Sequence, residues 1–132
     1  MNFLLEPNVG TNFLKFGMQR HEIRDLIHAK PMTKEIEPEN DFYENEGLIL
    51  GYDRNQALEF IEIIRPSTVE FKNINFFSLN LSSCITEMKK IGFVAPFADG
   101  GYNFETICMS LYCPQDKLES VSLYKKGYYD DL

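Results

Sequence analysis

The chain has few cysteines, no long apolar run and no recognisable secretory signal, and each lack excludes a class of protein. Its three cysteines, Cys84, Cys108 and Cys113, stand at irregular spacing, so no disulfide framework is indicated and a reduced, cytoplasmic setting is expected. No apolar run reaches the roughly eighteen residues that a membrane-spanning helix needs. The opening segment 1–7 lacks the basic start and the apolar stretch of a signal peptide.

Basic residues are also scarce, since 13 lysines and arginines stand against 20 acids and the net charge is −7. This balance opposes binding to nucleic-acid phosphates and favours a basic partner. The 132 residues are 44% hydrophobic and 14% aromatic, which is enough for one hydrophobic core. We therefore expect a single folded domain over residues 1–132.

Patterns typical of catalysis and metal binding are missing as well. His21 and His28 do not have the spacing of the two zinc-binding histidines in metalloproteases, which lie four residues apart on a helix. Cys108 and Cys113 have no second pair nearby, whereas a structural zinc site needs four ligands. The sequence thus predicts no metal, no cofactor and no enzyme. A carboxylate-dependent enzyme stays an open alternative, because many acids could be paired as general acid and base.

The most acidic stretch is residues 35–46, which contain six acids and no base. Charged runs are usually solvated loops, and the sequence predicts a loop here. A docking surface for a cationic partner is the alternative, with Glu44 and Glu46 as its candidate charges.

Helical and strand patterns alternate along the chain. An apolar stripe that includes Ile23 predicts a helix over residues 19–29, with Arg20 and Arg24 on its solvent side. Asn80 is a candidate N-cap for a second helix. That helix is predicted over 81–90, and strands are predicted at 48–53, 58–65, 69–72, 74–77, 102–112 and 118–124.

The most informative pattern is a repeat, because residues 51–63 align without a gap to residues 111–123. A tyrosine, a leucine and a glutamate coincide, and an aliphatic pair recurs in each segment. Internal repetition of this kind constrains the architecture. It predicts an α+β fold of two tandem helix–β-hairpin units, at about 10–66 and 67–126, which form one antiparallel sheet with the helices on one face.

Comparison of the two copies predicts which side chains face the helices. Aliphatic residues alternate with serines in the second copy, so Val121 and Leu123 are assigned to the core, and the sixty-residue offset assigns Ile61 and Ile63 likewise. The other side would then carry Tyr52, Phe60, Glu62, Tyr112, Ser120, Ser122 and Tyr124. Tyrosines supply contact area at low entropy cost, so this side is a candidate binding surface, although tyrosines also favour strands for structural reasons.

Several short motifs resemble the units of the β-lactamase inhibitor protein and of the small outer-membrane assembly lipoproteins. These motifs are Gly17-Met18, Glu22-Ile23, Tyr52-Asp53 and Leu58-Glu59, which stand where those families start a helix and turn a hairpin. The resemblance implies two helix–hairpin units that share one sheet and bind other proteins through the open sheet face. The second copy has Ser78-Leu79 in place of the Gly-Met step, and no lipid-attachment cysteine or cysteine pair occurs.

Taken together, these patterns favour a protein-binding inhibitor, specifically a cytoplasmic immunity protein that neutralises a basic, nuclease-type bacterial toxin by occlusion. An acidic inhibitor associates quickly with a basic target through electrostatic steering. The identity of the partner, the oligomeric state and the open sheet face are left undetermined, and a structural or ligand-binding protein without a toxin partner is the alternative. The candidate partner-binding residues are Glu44, Glu46, Tyr52, Asp53, Glu62, Tyr112 and Tyr124.

Overall fold

A computed structural model describes residues 1–130, which fold as an α+β protein with two helices and two sheets. The helices are α1 (Arg20–Leu26) and α2 (Leu81–Lys90). The strands are β1 (Asn2–Glu6), β2 (Gly10–Thr11), β3 (Asn40–Tyr43), β4 (Leu48–Tyr52), β5 (Leu58–Ile64), β6 (Thr68–Phe71), β7 (Ile74–Asn75), β8 (Phe97–Ala98), β9 (Gly101–Phe104), β10 (Met109–Tyr112) and β11 (Ser120–Tyr124). Short 3-10 turns cover Phe76–Ser78 and Glu105–Ile107.

The larger sheet is antiparallel and has seven strands in the order β3-β4-β5-β11-β10-β9-β8. Its central pair is β5 and β11, in which Ile61 lies opposite Leu123 and Ile63 opposite Val121. All four side chains are fully buried, so the predicted facing of these two strands is confirmed. After α1, strands β3, β4 and β5 run as one meander. After α2, β9, β10 and β11 run as a second, with the short β8 added to the outer edge of β9, and the two meanders meet at the central pair.

A second, smaller sheet was not predicted, so the expectation of one sheet is wrong. Its order is β2-β1-β6-β7, and β1 runs parallel to β6. Phe3 and Leu5 of β1 alternate with exposed residues and are buried in the core. Five residues give too short an alternation to predict a strand, and of its two neighbours in the sheet β6 is distant in the chain while β2 has only two residues.

The predicted helices are present, but the first is shorter than expected. α2 begins after Asn80, whose Oδ1 accepts a hydrogen bond of 2.8 Å from the Ser83 amide, as predicted for an N-cap. α1 covers only seven residues of the predicted range 19–29. A helix of seven residues is marginal alone, so tertiary contacts must hold it in place.

One loop prediction and two strand predictions need correction. The strand predicted at 74–77 ends at Asn75, because Phe76–Ser78 forms a 3-10 turn. Within the acidic stretch, residues Asn40–Tyr43 form β3, so only its flanks are loop. The segment 102–112 is two antiparallel strands, β9 and β10, joined by the 3-10 turn and by Cys108 in a left-handed conformation with φ of 52°. These three differences have one reason: the pairing partner, rather than the local composition, decides where a strand begins and ends.

One cluster of buried apolar side chains joins both helices and both sheets. It includes Ile23 of α1, Met88 of α2, Phe71 of the smaller sheet and Leu50 and Leu111 of the larger sheet. The helices and the smaller sheet therefore cover one side of the seven-stranded sheet. We call the other side the open face.

Candidate protein-binding surface

The open face carries a mixture of aromatic, acidic and hydroxyl side chains. Alternation along each strand directs every second residue to this side. The residues on it are Phe42 from β3, Ile49 from β4, Phe60 and Glu62 from β5, Ser120, Ser122 and Tyr124 from β11, Ser110 and Tyr112 from β10, and Asn103 from β9.

Residues 125–130 fold back onto the open face and add two tyrosines to it. The ring of Tyr128 stacks on Phe60 with 5.3 Å between centroids, and Tyr129 contacts Tyr124 edge to face at 4.8 Å. The amide of Lys125 donates a hydrogen bond of 2.9 Å to the Glu59 carbonyl, which fixes the start of this segment against β5. The result is a continuous aromatic patch over the middle of the sheet.

Carboxylates surround this aromatic patch. Burial raises the pKa of Tyr128, and Tyr129 and the negative charges of Glu59, Glu39 and Glu62 raise it further. Burial and Glu62 likewise raise the pKa of Tyr129. The middle of the open face is therefore aromatic and negatively charged at neutral pH.

Three of the predicted binding residues lie on the open face. Glu62 is half-buried near its centre, and Tyr112 is 46% exposed on β10. Tyr124 is buried beneath the two tyrosines of the C-terminal segment, and its hydroxyl donates a hydrogen bond of 2.6 Å to Asn103 Oδ1. Burial raises the pKa of Tyr124 to about 12. Tyr124 therefore supports this surface from below instead of standing exposed on it.

The predicted facing of Tyr52 is wrong, because this side chain is buried on the core side. The pairing of β4 with β5 shifts between Gly51, which lies opposite Phe60, and Tyr52, which lies opposite Leu58. Glu59 is therefore an extra residue in β5, with no partner position in β4. As a result Gly51, which lies opposite Phe60, corresponds to Tyr112, which lies opposite Ser120, and Tyr52 does not. A shift of one residue turns a strand side chain to the other side of the sheet.

The remaining predicted residues lie in turns at opposite ends of the first hairpins. Asp53 Oδ1 accepts hydrogen bonds from the amides of Asn55, at 2.8 Å, and Ala57, at 3.0 Å, so its carboxylate organises the turn between β4 and β5. Glu44 is exposed and Glu46 is half-buried in the turn between β3 and β4, away from the tyrosine patch. The predicted residues thus do not form one site.

Sequence reasoning missed a buried charge cluster beneath β3. Asp41 is fully buried, and its carboxylate accepts hydrogen bonds from the guanidinium of Arg20, at 2.6 Å, and from that of Arg24, at 2.7 and 2.8 Å. Burial alone would raise the pKa of Asp41, but the hydrogen bonds and positive charges of Arg24 and Arg20 outweigh it and lower the pKa. The expectation that Arg20 lies on the solvent side of α1 is therefore wrong, since its side chain is only 11% exposed, whereas Arg24 stays 41% exposed while its guanidinium reaches Asp41.

This cluster connects α1 to the sheet. The Arg20 guanidinium also lies 5.0 Å from the ring centre of Tyr52 and donates to the Pro38 carbonyl at 3.0 Å. The buried hydroxyls of Tyr43 and Tyr52 have no hydrogen-bond partner among residues 1–130. A signal existed in the sequence, since Asp41 directly precedes the aromatic pair Phe42-Tyr43 while the arginines recur four residues apart.

A groove of about 910 Å³ lies at the β9 edge of the larger sheet, between β9 and residues 92–96. Val94 and Tyr102 line it together with Tyr112 and Tyr129, which also belong to the open face. The groove therefore continues the aromatic patch around the edge of the sheet.

No group of three or more histidine, cysteine, aspartate or glutamate side chains within residues 1–130 is arranged to hold a metal ion. In the same residues, neither helix has the length and apolar character needed to cross a membrane.

Comparison of the chain with protein-family models, with curated proteins and with solved structures found no match. The interpretation of its surface therefore depends on the geometry and chemistry of its own residues.

Proposed function

We propose that this protein is a protein-binding inhibitor, an immunity protein that neutralises a basic, nuclease-type bacterial toxin by occluding it in the cytoplasm. The observation that carries the proposal is the patch of Phe60, Tyr124, Tyr128 and Tyr129 on the open face, with carboxylates around Tyr128. Tyrosines and other aromatic residues are enriched in the centres of protein interfaces, where they supply contact area with few rotatable bonds.

Charge supports the same proposal. The chain has a net charge of −7, and the negative charges of Glu39, Glu59 and Glu62 all act on Tyr128. A negative surface raises the rate at which a positively charged partner meets it, and salt weakens this effect. A nuclease domain that binds nucleic-acid phosphates is a partner with the required positive charge.

The proposal includes an origin of the two meanders by duplication of one helix–hairpin unit. The order of the larger sheet is symmetric about β5 and β11, with β4 and β10 next to this pair and β3 and β9 beyond them. Ile61 and Ile63 take the places of Val121 and Leu123 in that arrangement, as in the sequence alignment. Because the two central strands come from different units, each unit would need the other to complete its sheet.

Asp41 bears on the alternative of a carboxylate-dependent enzyme, which needs two carboxylates in an enclosed site. It is the one fully buried carboxylate among residues 1–130, and two guanidinium groups hold it as an ion. An ion paired in this way is a poor proton donor or acceptor near neutral pH. We therefore favour the inhibitor, and the enzyme stays an untested hypothesis.

The direct test is to read the neighbouring genes, to co-express the protein with any toxin domain that they encode, and to measure growth. We expect the wild type to restore growth and to form a complex with the purified domain. In Glu62→Lys the charge at the centre of the open face is reversed, and we expect at least tenfold slower association at low salt. The matched control is Glu70→Lys, which makes the same charge change on the smaller sheet.

Equal slowing by both substitutions would show that net charge alone, and not the open face, steers the partner. A neighbouring gene set for metabolism without any toxin domain, or a bound partner that is acidic, would contradict the immunity proposal.

A further inference from the structure

We propose that the groove beside β9 binds an extended segment of the partner protein, which adds to the sheet edge at Asn103 and carries apolar side chains and a basic one. This inference rests on the proposed function only in requiring a protein partner, and it assigns a second contact region outside the open face. It names what the segment must supply: main-chain hydrogen bonds, apolar contact and positive charge.

The first observation is an incomplete sheet edge. β8 covers β9 only where Phe97 lies opposite Tyr102 and Ala98 opposite Gly101. The next position along β8 is Pro96, which has no amide hydrogen and cannot continue the ladder. The edge of β9 beyond Tyr102 therefore faces the groove without a paired strand.

The pleat of β9 determines which main-chain groups point into the groove. Asp99 and Gly100 have φ of 52° and 81°, which is typical of a two-residue hairpin turn between hydrogen-bonded residues. Gly101 thus directs its main-chain groups toward β8, and Asn103, two residues further on, directs its groups the same way. No main-chain hydrogen bond to Asn103 on this side occurs among residues 1–130. An extended segment would supply the missing partners.

The second observation is apolar exposure around this edge. Val94 is 74% exposed, Phe97 51%, Tyr112 46% and Tyr129 45%. Clustered exposed apolar side chains on a small soluble protein mark interaction sites more often than isolated ones do. Side chains of an added strand alternate between the two sides of the sheet edge, so they would contact this cluster on both sides.

The third observation is the charge of the groove. Asp99 and Glu105 line it, and no lysine or arginine does within the described part of the chain. Both acids are exposed, so they can approach a basic side chain without prior loss of another partner. The negative charges of Asp99 and Glu105 would attract a lysine or arginine in the bound segment, whereas they would repel an acidic segment.

The test uses the ¹⁵N-labelled protein and a blocked pentapeptide of alternating valine and lysine. We expect amide shifts concentrated at Asn103 and at residues 94–96 as the peptide is added. A peptide N-methylated at its central valine keeps the side chains and loses one main-chain donor, and we expect it to bind at least tenfold more weakly. A peptide with glutamate in place of lysine should bind more weakly still.

A pair of variants separates this inference from the proposed function. Glu105→Lys should weaken binding of the lysine peptide at least fivefold, whereas Glu62→Lys should leave it within a factor of two. Shifts mapped outside the groove, equal binding of the N-methylated peptide, or occupation of the groove by a second copy in sedimentation would overturn the inference. If the peptide does not bind while Glu62→Lys still slows the toxin domain, the groove inference is wrong and the proposed function stands.

Discussion

The two meanders of the larger sheet hold corresponding positions around one centre, yet they are stabilised by different interactions. Leu50 pairs with Ile61 in the first meander, as Leu111 pairs with Val121 in the second. The next residue outward is Asp41 in the first meander, where two arginines of α1 hold it. In the second it is Tyr102, which packs against the core.

This difference accounts for how the helices attach to the sheet. α1 has seven residues and one buried aliphatic side chain, Ile23, so apolar burial contributes little to its attachment and hydrogen-bonded ion pairs contribute more. α2 has ten residues and is held by Cys84 and Met88 together with the Asn80 cap. Similar positions in a sheet can therefore be stabilised by polar or by apolar contacts.

The two edges of the sheet differ as well. Along β3, Met32 and Phe42 exchange hydrogen bonds of 2.8 and 2.9 Å between their main chains, so the chain before the strand covers this edge. Along β9, only the two residues of β8 do so. A covered edge resists pairing with other chains, whereas an uncovered one invites it. The β9 edge is therefore the one at which we place the partner segment.

The largest expected effect is a difference in stability between variants of Tyr52 and Tyr112, two residues that the sequence alignment places at equivalent positions. Tyr52→Ala removes a buried ring and should lower the free energy of unfolding by about 3–5 kcal/mol. Tyr112→Ala removes a half-exposed ring and should change it by less than about 0.5 kcal/mol. Urea denaturation of both variants measures the difference. Equal losses would contradict the assigned register of β4.

The next prediction compares the stability contributed by the ion pairs of Asp41 in the first meander with that contributed by Tyr102 at the corresponding position of the second. Asp41→Ala leaves Arg20 and Arg24 without their acceptor and should lower the free energy of unfolding by about 3 kcal/mol, since Arg24 can still reach water. Tyr102→Phe, at the corresponding position of the second meander, should cost less than about 0.5 kcal/mol. A loss below about 1 kcal/mol for Asp41→Ala would show that the cluster contributes little to stability.

Acid should weaken the first meander more than the second. The folded-state pKa of Asp41 is below its ordinary value of 3.8, so its ionised form stabilises the fold at neutral pH. This contribution is lost as the pH falls below 3.8 through the lower folded-state value. Chemical denaturation between neutral pH and acid should show a steeper loss for wild type than for Asp41→Asn. Parallel curves would exclude Asp41 as a source of the acid sensitivity.

Substitutions in the turn between β3 and β4 should have the smallest effect on the free energy of unfolding but a measurable effect on binding of a partner. Glu44→Lys with Glu46→Lys should leave the unfolding midpoint nearly unchanged, because both side chains reach solvent. Association with a basic partner should slow, and its dependence on salt should weaken. The double variant of Glu87 and Glu119 to lysine is the charge-matched control. An unchanged association rate would remove this turn from the docking surface.

Local sequence determined much of the secondary structure and part of the facing. The cap at Asn80 and the alternation of aliphatic residues with serines in β11 were readable, because their physical causes lie within a few residues. The facing of β5 followed from the same alternation. These features led to an α+β fold with a largely antiparallel sheet, which the structure has.

Positions that depend on distant partners were not readable. The extra residue Glu59 reverses the facing of Tyr52, and no local pattern distinguishes a strand with such a bulge from one without it. The parallel pairing of β1 with β6 joins residues far apart in the chain. The tyrosine patch requires the C-terminal segment to fold back across β5, which composition does not indicate.

The sequence by itself therefore determined the fold class, α2, the central strands of the larger sheet and the negative charge of this protein, because helix caps, strand alternation and ionised side chains are local properties. Only the tertiary structure decided that Asp41 is buried and held by two arginines, that Tyr128 lies over Phe60, and that the edge at Asn103 is unpaired. The physical reason is that the burial of a side chain and the pairing of a strand depend on which segment, distant in the sequence, packs against it in the fold. The candidate surface is made of such residues.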